Sequence, residues 1–145
     1  MHLRISLPLV ALILCVTVPR CEAAEGHKSN EQRVRDYVVA YNEKDVDAML
    51  NMVSDDVQWL NVTGDKVSVE AQGKLRLRES LTAYFKSTPS AKSDLEWVQA
   101  TASRVAAMER ASWQGKSGPR SQASLSVYEF RGGLISRVYY YPAEK

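Results

Sequence analysis

Histidine and cysteine, which most often serve as nucleophiles, proton shuttles and zinc ligands, are scarce in this sequence. The chain of 145 residues contains two of each, His2 and His27, and Cys15 and Cys21. All four precede the first amphipathic pattern of the chain. This distribution excludes Ser-His-Asp and Cys-His catalysis and a structural zinc site.

Acidic residues are the remaining candidates for chemistry. A carboxylate buried in a pocket can serve as a general base. Four glutamates could reach a pocket, Glu70, Glu79, Glu109 and Glu129, but a solvated position is the commoner outcome for each.

A metal site built only from carboxylates would need Asp55, Asp56 and Asp65. These residues follow a helical pattern or lie in a turn, where aspartate commonly acts as a capping or turn residue. We therefore expect neither a metal nor any other cofactor.

The composition is typical of a folded soluble domain. Hydrophobic residues make up 45% and charged residues 25%, and 19 basic against 17 acidic residues give a net charge of +2. The longest basic cluster, Lys74, Arg76 and Arg78, alternates with leucines. We expect no nucleic-acid partner.

The amino terminus has the pattern of a secretory signal peptide. Arg4 precedes an apolar run from Ile5 to Val18 that is short for a membrane span, and small residues follow at Ala23 and Ala24. We expect a signal peptide over residues 1–23, a mature domain over residues 24–145, a periplasmic or secreted location, and no membrane association after cleavage. Acylation of Cys21 is a second interpretation, which Arg20 disfavours.

The patterns follow the order helix, helix, hairpin, helix and then a run of four strands. Helical spacing extends over Val34 to Tyr41, Val46 to Val53 and Leu75 to Lys86, with Asp45 as a cap and Ser54 to Asp56 as the end of the second helix. Alternation predicts strands over Val57–Val62, Val67–Ala71, Leu95–Ala102, Val105–Gln114, Gln122–Phe130 and Leu134–Tyr141. This order predicts an α+β domain with helices on one face of a curved antiparallel sheet.

Two stretches resemble the nuclear transport factor 2-like superfamily, particularly its SnoaL-like and ketosteroid-isomerase-like branches. The first, VRDYVVAYNEKDVDAMLNMVSDDVQWLNVTG, runs from Val34 to Gly64, and the second, SVYEFRGGLISRVYYYP, runs from Ser126 to Pro142. The resemblance implies a cystatin-like α+β fold, in which a cone-shaped curved antiparallel sheet wraps around three N-terminal helices. It also implies a ligand pocket at the wide end of the cone and a homodimer formed through the sheet.

The isomerase branch uses a tyrosine and a protonated aspartate to hold an oxyanion, and a second aspartate as the base. By resemblance, these positions fall on Tyr37, Ser126 and Asn61 respectively. An amide is not a base near neutral pH, and a serine hydroxyl differs from a carboxylic acid in reach and acidity. We therefore do not expect isomerase activity.

Strand alternation adds further candidates for ligand contact. Trp59 shares a face with Asn61, and the resemblance implies that this face looks into the cone. Tyr128 shares a face with Ser126, and aromatic residues occupy both faces of the last strand. The candidate ligand-binding residues are Tyr37, Trp59, Asn61, Ser126, Tyr128 and Tyr141.

Together these patterns predict an exported homodimer that binds a small, mostly apolar molecule in its cone pocket. One alternative is an isomerase- or cyclase-type enzyme that uses a carboxylate at another position; an inward-facing acidic residue would favour it. The other is a dimeric protein-interaction module; a pocket filled by its own side chains would favour that.

Overall fold

The computed structural model describes residues 28–143, which form three helices and a six-stranded sheet. The predicted signal peptide, both cysteines and His27 lie outside the described residues. The α+β fold class is confirmed. In chain order the elements are α1 (Asn30–Glu43), α2 (Val46–Asn51), β1 (Val53–Thr63), β2 (Lys66–Gln72), α3 (Gly73–Ser87), β3 (Lys92–Ala100), β4 (Arg104–Gly115), β5 (Gly118–Arg131) and β6 (Leu134–Tyr141).

A tight corner joins α1 to α2. Asp45 caps α2 as predicted, because its side chain accepts a hydrogen bond of 2.9 Å from the Ala48 N–H. Just before it, Lys44 has a φ of 62°, in the left-handed region that favours glycine. The Lys44 ammonium group lies over the rings of Tyr41 and Phe85, at 4.9 and 4.7 Å from their centroids. These contacts hold an unfavourable backbone conformation in place.

Strand β1 begins earlier than the sequence predicts. The helical spacing extends to Val53, but α2 ends at Asn51, and Ser54 to Asp56 belong to the strand. Val53 is paired with Ile135 of β6, and both side chains are buried in the core. Pairing and burial at this position override the local helical pattern.

The sheet has the strand order β2-β1-β6-β5-β4-β3. Strand β1 is parallel to β6, and all other neighbours are antiparallel. The pairing of β1 with β2 shifts register between Trp59 and Leu60. Such bulges bend a strand, and they help to curve this sheet around the helices.

The core lies between the helices and the concave face of the sheet. Helix α1 packs against β3 and β4, while α3 packs against β1 and β2. None of the helices within residues 28–143 is long and apolar enough to cross a membrane. The most deeply buried side chains are Val34, Tyr37, Met49, Val53, Val57, Val105, Ser126, Tyr128, Ile135 and Val138.

Candidate functional site

A cavity of about 360 Å³ lies between α1, α3 and the concave face of the sheet. Its size falls within the range of small-molecule sites. The wall is mostly apolar and aromatic with a few polar groups. Its lining residues are Tyr37, Val38, Tyr41, Trp59, Glu70, Ala71, Leu77, Ser80, Leu81, Tyr84, Ser93, Glu109, Ala111, Ser126, Tyr128 and Tyr140.

Three aromatic side chains from different elements meet in this wall. The Tyr37 ring of α1 is stacked on Trp59 of β1 at a centroid distance of 6.3 Å and an interplanar angle of 29°. It also meets Tyr128 of β5 edge to face, at 6.3 Å and 67°. Both arrangements are favourable geometries for aromatic pairs, so the rings fix one another's positions.

The Tyr37 hydroxyl has no hydrogen-bond partner among the described residues, although the side chain is 2% exposed. The inner stripe of α1 carries Tyr37 into the fold together with Val34 and Val38, which are also buried. Burial raises the pKa of this phenol, and the nearby charge of Glu109 raises it further. Tyr37 therefore presents a neutral hydroxyl that is free to bond to a ligand.

Glu109 of β4 brings a carboxylate into the cavity wall. Its Oε1 accepts a hydrogen bond of 2.6 Å from the Tyr128 hydroxyl, and its Oε2 accepts one of 3.1 Å from Ser93 Oγ. Both donors are buried and uncharged. Glu109 can thus act as a hydrogen-bond acceptor, a proton acceptor or a counter-ion for a bound molecule.

A second aromatic group forms the more exposed end of the cavity. The hydroxyls of Tyr41 and Tyr84 lie 3.4 Å apart, and the Tyr84 side chain reaches solvent. Tyr140 donates a hydrogen bond of 2.8 Å to Ser124 Oγ. Three phenol groups thus lie together in this part of the cavity wall.

Four of the six residues predicted to bind a ligand line this cavity: Tyr37, Trp59, Ser126 and Tyr128. Asn61 lies two residues after Trp59 on β1 and is paired with Tyr140 of β6. Its buried Oδ1 has no partner among the described residues. It does not belong to the cavity lining. The position carried over from the isomerase base is therefore outside the cavity.

Tyr141 lies on the outer face of the sheet and is 38% exposed. Because side chains alternate along β6, the cavity receives its neighbour Tyr140 instead. Tyr140 thus lines the cavity and Tyr141 does not.

The expectation of a solvated position is wrong for Glu109. The other three glutamates are placed differently: Glu79 is paired with Arg76, Glu129 with Arg104 and Arg137, and the exposed Glu70 lies at the cavity wall. Alternation in β4 contained the missing signal, since Val105, Ala107 and Ala111 share a face with Glu109.

The aspartates considered for metal binding are separated by their ion pairs. Asp55 lies 3.0 Å from Lys74, and Asp56 lies 2.5 Å from Arg131. Between residues 28 and 143, no group of three or more His, Cys, Asp or Glu side chains is arranged to hold a metal ion.

Comparisons with known proteins agree with this architecture. Residues 34–138 match the SnoaL-like domain family. None of the curated proteins matches the chain. An uncharacterised cystatin fold protein from Novosphingobium aromaticivorans has a TM-score of 0.69 and 27% identity, covering 78% of this chain and 97% of that one.

Two further solved structures are similar in fold. TerC, crystallised with polyporic acid, has a TM-score of 0.67 and 13% identity, with 79% of this chain and 91% of that chain covered. A candidate polyketide cyclase from Xanthomonas campestris pv. campestris has a TM-score of 0.59 and 23% identity, with 79% and 93% covered.

Proposed function

This chain belongs to the SnoaL-like domain family, within the nuclear transport factor 2-like superfamily, and we propose that it binds a small, mostly apolar molecule in its cavity. The fold alone does not decide function, because it carries both enzymes and binding proteins. The observation that carries the proposal is the unpartnered Tyr37 hydroxyl in a mostly apolar cavity of about 360 Å³. A ligand with one polar group satisfies that hydroxyl and fills the apolar space.

Two features favour ligand binding over a protein-interaction module, in which the cavity has no role. The cavity is open, whereas a pocket filled by its own side chains would favour a protein-interaction module. Trp59 and Tyr128 hold the Tyr37 ring in place, so the site is preorganised and little ordering is required on binding.

Calorimetric titration with flat apolar probes, starting with 1-tetralone and 4-phenylphenol, tests this proposal. The Ala111→Phe variant places a ring in the cavity and should abolish binding, since Ala111 lines it. The matched control is Ser112→Phe, the next residue of β4, whose side chain lies on the other face of the sheet. Binding by the control together with loss in Ala111→Phe supports the proposal; wild-type affinity in Ala111→Phe contradicts it.

A second candidate function is proton transfer, which the position of Glu109 favours. The carboxylate can accept a proton from the carbon beside a ligand's carbonyl group, while the Tyr37 hydroxyl donates a hydrogen bond to the carbonyl oxygen. Asn61, at the position of the isomerase base, is an amide outside the cavity lining, so Glu109 is the base in this candidate reaction.

Deuterium incorporation into acetophenone, followed by NMR in D₂O, tests this chemistry. General-base catalysis typically contributes ~10²–10⁴ in rate. An accelerated exchange that disappears in Glu109→Gln but persists in Glu96→Gln would support it, because Glu96 is paired with Arg110 away from the cavity. Exchange at the rate of buffer alone in the wild-type protein would rule it out for this probe and leave ligand binding as the function.

We also propose that the mature protein is an exported homodimer. The apolar run from Ile5 to Val18 and the small residues Ala23 and Ala24 support export. Mass spectrometry of protein from the native host should show a chain that starts at Ala24; retention of Met1 would contradict export. The exposed apolar side chains on the outer face of the sheet support the dimer.

A further inference from the structure

The cavity wall carries negative charge with no basic side chain beside it. Among the lining residues, all within the described part of the chain, there are two glutamates, Glu70 and Glu109, and no lysine, arginine or histidine. The ion pairs found between residues 28 and 143 include neither glutamate. Glu70 accepts a bond from Ser68 Oγ at 3.0 Å.

Glu109 is the more telling of the two, because it is half-buried in mostly apolar surroundings. Ionised groups in such positions are usually paired with an opposite charge. Here Tyr128 and Ser93 supply one neutral hydrogen bond to each carboxylate oxygen. Each oxygen has a second acceptor site, so the carboxylate remains able to receive a further donor or cation.

The rings around this carboxylate have the electrostatic character that attracts cations. Six aromatic side chains line the cavity, and the faces of aromatic rings carry negative potential. They come from α1, α3 and three strands of the sheet, so they surround the cavity rather than cover one side. These residues are Tyr37, Tyr41, Trp59, Tyr84, Tyr128 and Tyr140.

The fold already binds one ammonium group to an aromatic ring of this set. The Nζ atom of Lys44 lies 4.9 Å from the centroid of the Tyr41 ring. Lys44 is not a lining residue, and its ammonium group donates to the carbonyl oxygens of Ala91 and Tyr41. It is thus held outside the cavity and does not serve as the counter-ion of Glu109.

We propose that the ligand of this cavity is an organic cation, a small apolar molecule that carries a protonated amine or a quaternary ammonium group. Glu109 is its counter-ion, and the aromatic wall receives the rest of the molecule. The inference rests on the proposed function, because it specifies the chemical class of the molecule bound in the same cavity.

Pairs of probes that differ only in charge test this inference. Benzyltrimethylammonium and neopentylbenzene have the same shape, with N⁺ in one and carbon in the other; choline and 3,3-dimethylbutan-1-ol form a smaller pair. Affinities measured by ligand-observed NMR on the purified protein should favour the cation by about tenfold or more within a pair, as expected for combined cation–π and ion-pair contacts.

The Glu109→Gln variant removes the charge while keeping the shape of the side chain, and its amide oxygen still accepts one of the two bonds that Tyr128 and Ser93 donate. We expect it to lose most of the preference for the cation while binding the neutral member as before. Glu96→Gln makes the same charge change outside the cavity and should retain the preference. An unchanged preference in Glu109→Gln would overturn the assignment of Glu109 as counter-ion.

The comparison of charged and neutral probes uses the wild-type protein. It therefore tests the inference even if the Glu109→Gln variant does not fold. If the neutral member of each pair binds as well as the cation, the inference fails and the proposed function stands. If neither these pairs nor the flat neutral probes bind, the proposed function fails, and the inference fails with it.

Discussion

The phenol oxygen of Tyr128 lies 2.6 Å from Oε1 of Glu109, linking two neighbouring strands from inside the cavity wall. Tyr128 is 2% exposed, so its hydroxyl cannot exchange this partner for bulk water. The bond therefore fixes the carboxylate and satisfies a buried phenol at the same time.

Replacing Tyr128 with Phe should lower the free energy of unfolding by about 1.5–3 kcal/mol, the range for hydrogen bonds to charged groups. Urea denaturation measures the change. Tyr141→Phe is the matched control, since the Tyr141 side chain is exposed on the outer face, and it should change stability little. Equal stabilities for the two variants would show that the bond to Glu109 contributes nothing.

Replacing Tyr37 with Phe should not lower the free energy of unfolding, in contrast to the Tyr128 substitution. The hydroxyl is buried without a partner in the described structure, so removing it removes a desolvation penalty. We expect the ligand-free variant to be as stable as the wild type or more stable by about 1–2 kcal/mol, while binding of polar ligands weakens. A clear loss of stability in urea denaturation would mean that the hydroxyl has a partner in solution.

Stability should fall above about pH 10, the ordinary pKa of tyrosine. Burial raises the pKa of Tyr37 and of Tyr128 in the folded protein above that ordinary value. Below that pH both states keep the phenol protons and the stabilisation is complete. As the pH rises, the unfolded chain loses these protons first, so the unfolded state is favoured.

Denaturation between pH 9 and pH 11 would measure this slope. Each such phenol contributes up to about 1.4 kcal/mol per pH unit between its unfolded and folded pKa. The Tyr37→Phe variant should therefore show a shallower decline than the wild type. Identical slopes for the wild type and the variant would indicate that the Tyr37 hydroxyl ionises as readily in the folded state as in the unfolded chain.

The proposed homodimer predicts twice the chain mass in light scattering at micromolar concentration. Trp97 is 51% exposed on the outer face of the sheet, and a lysine there should weaken association by placing charge in an apolar contact. Val39→Lys serves as the control, because Val39 is similarly exposed but lies on α1. A monomeric wild-type protein would contradict the proposed dimer interface.

Local patterns predicted most of the fold because they record burial. Alternation along β4, β5 and β6 reflects the difference between the cavity and the outer face, and Asp45 signals the start of α2 through a bond within its own turn. Val53 was harder to place, since its partner Ile135 is distant in sequence.

The site was only partly predictable for the same reason. Tyr37, Trp59, Ser126 and Tyr128 lie on elements whose inner faces are evident from spacing. Glu109 is among the four glutamates that the sequence allows in a pocket, but a charged residue in a strand is usually solvated, and the donors Ser93 and Tyr128 reach it only after β3, β4 and β5 pair. How far the cavity extends along each strand also depends on contacts between elements distant in sequence. Local patterns therefore predict Asn61 and Tyr141 as ligand contacts, although neither lines the cavity.

The parallel pairing of β1 with β6 has a consequence for the order of folding. Gln58 of β1 accepts a hydrogen bond from Arg137 of β6 across 79 residues of chain. Since β6 follows the other described elements in the chain, β1 cannot complete its pairing until β6 has been synthesised. Contacts this distant in sequence slow folding, and we expect a nascent chain that ends before Leu134 to lack a closed cavity. The cavity is thus complete only once β6 has joined the sheet.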